Sequence, residues 1–198
     1  MIQFSDINPE IKAVIFELDN VLIPEKDYDL QVYYLFANFL EYLETFPPAQ
    51  DLVAFMSKRY EIHGKENMFE EVVKTFGVDS KYQDNLNLLF KTAKLPLKLL
   101  LFKEALELLQ ELIVNRKQIF ILTKGDPEQQ LNKLKQAEWN GLEKYLKIYF
   151  KAELGDTCFD YMKNENSLEI TDLLFISNSK EDNELAQKNN VSYLSLKY

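Results

Sequence analysis

Ala13-Val14-Ile15-Phe16-Glu17-Leu18-Asp19-Asn20-Val21-Leu22 runs as four apolar residues into two carboxylates two positions apart, followed by a polar turn. A short unbroken apolar run reads as a strand buried on both faces of a parallel sheet, although periodicity alone also fits a buried helix segment. Side chains at i and i+2 of a strand share a face, so Glu17 and Asp19 can address one site. The carboxyl ends of strands are where open α/β sheets bind their ligands. The competing reading of the two acids is that they end a strand and cap the element behind it.

Outward from this run, the chain separates into two patterns. From Pro24 to about Leu97 the spacing predicts helices and no strand. Asp27 is the expected N-cap of a first helix over Tyr28–Phe46, stopped by Pro47-Pro48. Further helices are expected over about Ala49–Ile62, Glu66–Phe76 with Gly77 behind it, and Lys81–Ala93. From Leu99 onward helices and apolar runs alternate. A helix over Phe102–Asn115 leads into a strand over Gln118–Thr123. Asp126-Pro127-Glu128-Gln129 supplies an N-cap, a proline at N1 and a glutamine at N3 for a helix ending near Trp139. Strands are then expected over Lys147–Phe150, Asp172–Ile176 and Val191–Leu196. Helices are expected from Asp156 to Met162 and, capped by Ser179, over Lys180–Asn189. This alternation indicates βαβ units and an α/β fold. The expected organisation is a Rossmann-like parallel sheet with helices on both faces, built from residues 1–23 and 98–198, and an all-helical insertion over 24–97.

These strand ends carry a resemblance. Glu17-Leu18-Asp19-Asn20-Val21 resembles the first motif of the haloacid dehalogenase-like (HAD) superfamily, an apolar strand followed by Asp-x-Asp-x-(Thr/Val). The family's nucleophile position holds Glu17 here, while Asp19 matches the second acid, a general acid/base that also binds magnesium through its main-chain oxygen. Ile119 to Asp126 is similar to the second motif, which implies that Thr123 and Lys124 bind phosphoryl oxygens, with the helix beginning at Asp126 adding its amide dipole. The third motif's lysine falls on Glu153 in an ungapped alignment on Phe159, and Lys151 is the best substitute. In the fourth motif Ser177-Asn178 stands where Gly-Asp is expected, and Asp182 is the remaining acid. The resemblance thus implies catalytic roles for Glu17, Asp19 and Lys151 and a magnesium site on Glu17, Asp19, Asn178 and Asp182, weak or absent through loss of charge. The helical insertion looks like the family's C1-type cap.

Two functions follow as expectations. The first is a HAD-like protein with a degraded phosphatase site and little or no phosphohydrolase activity. The second is an active magnesium-dependent phosphatase of a small phosphorylated metabolite, using Glu17 and Asp19 with Lys151 or Lys124 as the cation. A dehalogenase would need the same missing aspartate. A third reading makes Tyr28, Tyr33, Tyr34, Phe36, Phe39 and Tyr42 a binding surface, against ordinary packing at core-like spacing.

Composition narrows the partners. At 198 residues and 46% apolar content the chain can bury a sizeable core, and five glycines and six prolines argue against long linkers. A net charge of −9 disfavours nucleic acid and anionic membranes. Cys158, the single cysteine, excludes an internal disulfide and fits a reducing, cytoplasmic setting. The lone His63 excludes a histidine-rich metal site. Residues 1–12 lack the pattern of a secretory leader, and no apolar run is long enough for a membrane span.

Overall fold

The computed structural model describes residues 2–196. Its sheet is built from β1 (Ala13–Phe16), β2 (Gln118–Thr123), β3 (Leu146–Phe150), β4 (Leu173–Ser177) and β5 (Ser192–Ser195). The strand order is β3-β2-β1-β4-β5, and every pairing is parallel. The expected α/β class is therefore observed, with helices flanking the sheet. Strand β1 is central and buried on both faces, which is why Ala13–Phe16 carries no polar alternation. Edge strand β3 is half exposed and edge strand β5 carries serines at both ends; both are short, as unpaired edges commonly are.

The registry fixes where the strands end. Phe16 lies opposite Ile121 of β2 and Ile176 of β4, so Glu17 leaves β1 beside Leu122 and Ser177, at the carboxyl ends of β2 and β4. Beneath them Ile15, Phe120, Leu122, Phe159, Met162 and Phe175 form part of one buried cluster. Full burial of each large side chain contributes about 1.5–3 kcal/mol before chain entropy is counted.

By internal contacts the chain divides into two compact units. One contains the sheet and comprises residues up to Pro24, Leu100–Gln130 and those from Ala137 on; the other comprises Glu25–Leu99 and Leu131–Gln136. The second unit is helical: α1 (Glu25–Glu44), α2 (Ala49–His63), α3 (Met68–Phe76) and α4 (Gln83–Thr92). Helix α1 starts three residues earlier than the sequence suggests. Asp27 therefore sits inside the first turn with Glu25, where the helix dipole favours acids, rather than at the N-cap. Gly77 closes α3 in the left-handed conformation, as its position after Phe76 predicts. Tyr28, Tyr33 and Phe36 are buried in this unit, and edge-to-face ring pairs join Tyr33 to Tyr60, Phe36 to Phe69 and Phe39 to Tyr82. Most of the aromatics considered as a surface are thus packing; Tyr34 and Tyr42 stay exposed. Asp29 is also buried here and accepts a hydrogen bond from the Tyr60 hydroxyl (2.9 Å). Burial pushes the Asp29 carboxyl up to about 7.

In the sheet unit the helices are α5 (Lys103–Val114), α6 (Pro127–Gln136, which continues into the helical unit), α7 (Lys151–Leu154), α8 (Cys158–Glu165) and α9 (Lys180–Lys188). Two boundaries differ from expectation. Helix α6 ends at Gln136, and Ala137–Glu138 are extended. Asp156 lies in a 3-10 turn ahead of α8 rather than at its first residue. Among the described residues no helix is long and apolar enough to cross a membrane.

Candidate active site

Glu17 is the first residue beyond β1, and its backbone N–H still donates to the Ile176 carbonyl (3.1 Å). The chain then turns sharply. The Leu22 and Ile23 N–H groups return to the Leu18 carbonyl, and Asn20 adopts a left-handed conformation. Asparagine tolerates that conformation better than most residues. The turn buries Leu18 and leaves Glu17 and Asp19 together at the carboxyl end of the sheet, the placement their i, i+2 spacing predicts.

Strand β2 ends beside them. Thr123 Oγ1 donates to Glu17 Oε1 (3.1 Å), and the Lys124 backbone N–H donates to the same oxygen (3.4 Å). Behind the strand, Asp126 caps α6 by accepting from the Gln129 N–H (3.0 Å). The capped first turn carries Gln130 inward, where it is 2% exposed. Its Nε2 donates to Asp19 Oδ2 (2.8 Å) and Thr123 Oγ1 (2.7 Å), using both amide hydrogens. A hydroxyl that accepts from Gln130 keeps its own proton for Glu17, so donation runs from Gln130 through Thr123 to Glu17. Sequence reasoning missed Gln130; its signal was the firm start of α6, which fixes the helix phase from Pro127.

The opposite side is built from β4 and α9. Ser179 caps α9 by accepting from the Asp182 N–H (3.1 Å), and Asp182 is 1% exposed. Its carboxylate faces Lys124, whose Nζ lies 3.0 Å from Asp182 Oδ2 and donates to Ser179 Oγ (3.0 Å). Ser177 also donates to Asp182 Oδ2. Asn178 is exposed, and its Nδ2 donates to the Asn20 carbonyl (3.0 Å).

Electrostatically, Glu17 is the unusual member. It is 3% exposed, and its Oε2 is buried without a hydrogen-bond partner. Burial pushes its carboxyl up to about 7; the Lys124 ammonium opposes the rise, and the charges of Asp19 and Asp182 add to it. Burial thus favours the uncharged carboxyl, and the Lys124 ammonium favours the charged one. Lys151 is the first residue of the one-turn helix α7, and its charge acts on Asp156 and Cys158. The structure thus brings Glu17, Asp19, Thr123, Lys124 and Asp182 together and puts Asn178 at the rim.

No family model matches the sequence, and no curated protein matches it significantly. Solved structures do match. A haloacid dehalogenase-like family hydrolase from Xanthomonas campestris has 18% identity and a TM-score of 0.59, with 96% of this chain and 82% of that one covered. HAD-type architecture accounts for the whole wound sheet and its helical insertion. The chain has the HAD-like fold. A second likeness is the HAD-hydrolase YfnB from Bacillus subtilis bound to magnesium, at 15% identity and TM-score 0.62, covering 92% and 85%. A third is a HAD family enzyme from Bacteroides thetaiotaomicron in complex with magnesium and inorganic phosphate, at 16% identity and TM-score 0.53, covering 94% of each chain.

Two of these HAD-like neighbours carry magnesium, so the donor set here bears a direct test. Magnesium needs near-octahedral oxygen ligands and is usually held through carboxylates. Here a tethered ammonium already stands against Asp182, Asp19 Oδ2 is engaged by Gln130, and the Asn178 amide donates elsewhere. Among the described residues no group of three or more His, Cys, Asp or Glu is arranged to hold a metal ion. Asp182 and Asn178, two of the four donors the resemblance implies, are thus engaged within the chain.

Proposed function

We propose that this chain is a HAD-fold protein with little or no phosphohydrolase activity, whose site binds a small phosphorylated molecule rather than turning it over. The observation that carries the reading is Lys124 Nζ at 3.0 Å from the buried carboxylate of Asp182. A cation held inside the chain takes up the charge that a metal would otherwise balance. Two further features point the same way. Glu17 is one methylene longer than the aspartate of the HAD pattern, and a misplacement of about 1 Å can cost on the order of 100-fold in rate. Burial that favours the protonated carboxyl also weakens Glu17 as a nucleophile. Loss of one preorganised electrostatic contact costs about 100- to 1000-fold, although such costs need not add. Residues 24–97 are read as a C1-type helical cap, in a cytoplasmic protein.

A specific observation favours a second reading. Glu17 Oε2 is buried and unpartnered at the end of β1, as an attacking oxygen would be. On this reading the chain is a magnesium-dependent phosphatase with Glu17 as nucleophile and Asp19 as acid/base. Hydrolysis of an aryl phosphate with magnesium separates the two. The preferred reading expects inert wild type and some gain in Glu17→Asp combined with Asn178→Asp. Robust turnover by wild type, abolished in Glu17→Ala, would establish the second reading instead.

A further inference from the structure

Glu17 occupies more than a nucleophile's position. The Thr123 hydroxyl and the Lys124 N–H are the two donors that the HAD resemblance assigns to an incoming phosphoryl oxygen, and both converge on Glu17 Oε1. Gln130 holds the hydroxyl in that orientation, because its amide donates to Thr123 Oγ1 and leaves the hydroxyl proton free to point forward. The Lys124 ammonium is the nearby positive charge, its effect felt at the Glu17 carboxyl. A carboxylate oxygen that accepts from a hydroxyl and an amide, with an ammonium acting on it through its charge, is in the surroundings an oxyanion seeks. The reach comes from the added methylene, since an aspartate here would end about 1.5 Å short.

We propose that Glu17 is a built-in anion filling the oxyanion cradle of Thr123 and Lys124, so that a free phosphate-type oxyanion enters only when this side chain is shortened or displaced. The inference rests on the binding reading given above and adds to it a competitor within the chain. A ligand that must displace an internal group has its apparent affinity reduced by the fraction of molecules in which the cradle is open. The cradle needs no divalent ion, because its cation is Lys124.

Inorganic phosphate titrated calorimetrically into the full chain, in buffer containing a chelator, tests this without reference to turnover. Wild type is expected to bind phosphate weakly and Glu17→Ala at least about tenfold more tightly, with Lys124→Gln in the Glu17→Ala background removing the gain. Glu17→Ser, which keeps a polar group at the position, gives the same gain and serves if Glu17→Ala folds poorly; near-ultraviolet circular dichroism establishes native packing in each case. Equal binding by wild type and the shortened variants would overturn the proposal. So would folded shortened variants that bind no phosphate, or a gain that survives Lys124→Gln. Magnesium-dependent turnover by wild type would count against the preferred function and leave this metal-free binding result to be judged by itself.

Discussion

At the scale of the residue, Glu17 and Lys124 decide how the site behaves. Glu17 has a carboxyl raised from 4.5 to about 7, so the folded state holds its proton more tightly than the unfolded chain. Such a group contributes stability that is complete below about pH 4.5 and is lost as pH rises through about 7. Urea unfolding of wild type should therefore show stability falling across that window by on the order of 3 kcal/mol from this group. Asp29 adds a parallel loss in the helical unit. Glu17→Gln should flatten the Glu17 part of the profile; a variant with an unchanged slope would contradict the assignment. Lys124 and Lys151 make the second contrast. Removing Lys124 leaves the buried Asp182 without its cation, so Lys124→Ala is expected to cost about 3–5 kcal/mol. Lys151→Ala, at the start of a one-turn helix, is expected to stay within about 0.5 kcal/mol. Equal losses in the two variants would refute the pairing. Sequence alone favoured Lys151 because it stands nearest the expected motif. What distinguishes the two lysines is their distance from an acid 58 positions away in the chain, which no local pattern encodes.

At the scale of the element, helix α6 links cap chemistry to the site. Asp126 as N-cap, Pro127 at N1 and the following glutamines were legible because each answers a local need of a helix start. Gln130 was not singled out, because a glutamine one turn into a helix has no special signature until β2 and the β1 turn are brought beside it. Asp126→Ala should lower stability by about 1 kcal/mol in chemical denaturation and loosen the Gln130 contacts with Asp19 and Thr123. That loosening would be read as a shift in the Gln130 side-chain amide resonances; an unmoved pair of resonances would separate the cap from the site. The strands illustrate the complementary case. Gln118–Thr123 was legible to the residue because a run buried on both faces has a single reading once a helix precedes and follows it. The half-exposed strand Leu146–Phe150 and the turn ahead of α8 blurred by one or two residues, as element ends fray.

At the scale of the whole molecule, the parallel order β3-β2-β1-β4-β5 gathers the ends of β1, β2 and β4 at one edge, and the HAD-like fold follows from that topology. The fold was readable because alternation of strand and helix constrains connection handedness and neighbours. The chemistry of the site was not readable from motifs, since residues at separate strand ends matter through the groups they leave facing one another. Here those groups are a buried glutamate, an aspartate paired with lysine, and an asparagine turned to a backbone carbonyl. Lys124 balancing this site in place of a divalent ion is tested most directly by titrating magnesium while following the thermal unfolding midpoint. No saturable rise is expected at millimolar magnesium. A saturable stabilisation approaching about 2.7 kcal/mol, the value for an ion at a hundred times its dissociation constant, and lost in Asp182→Asn, would contradict it.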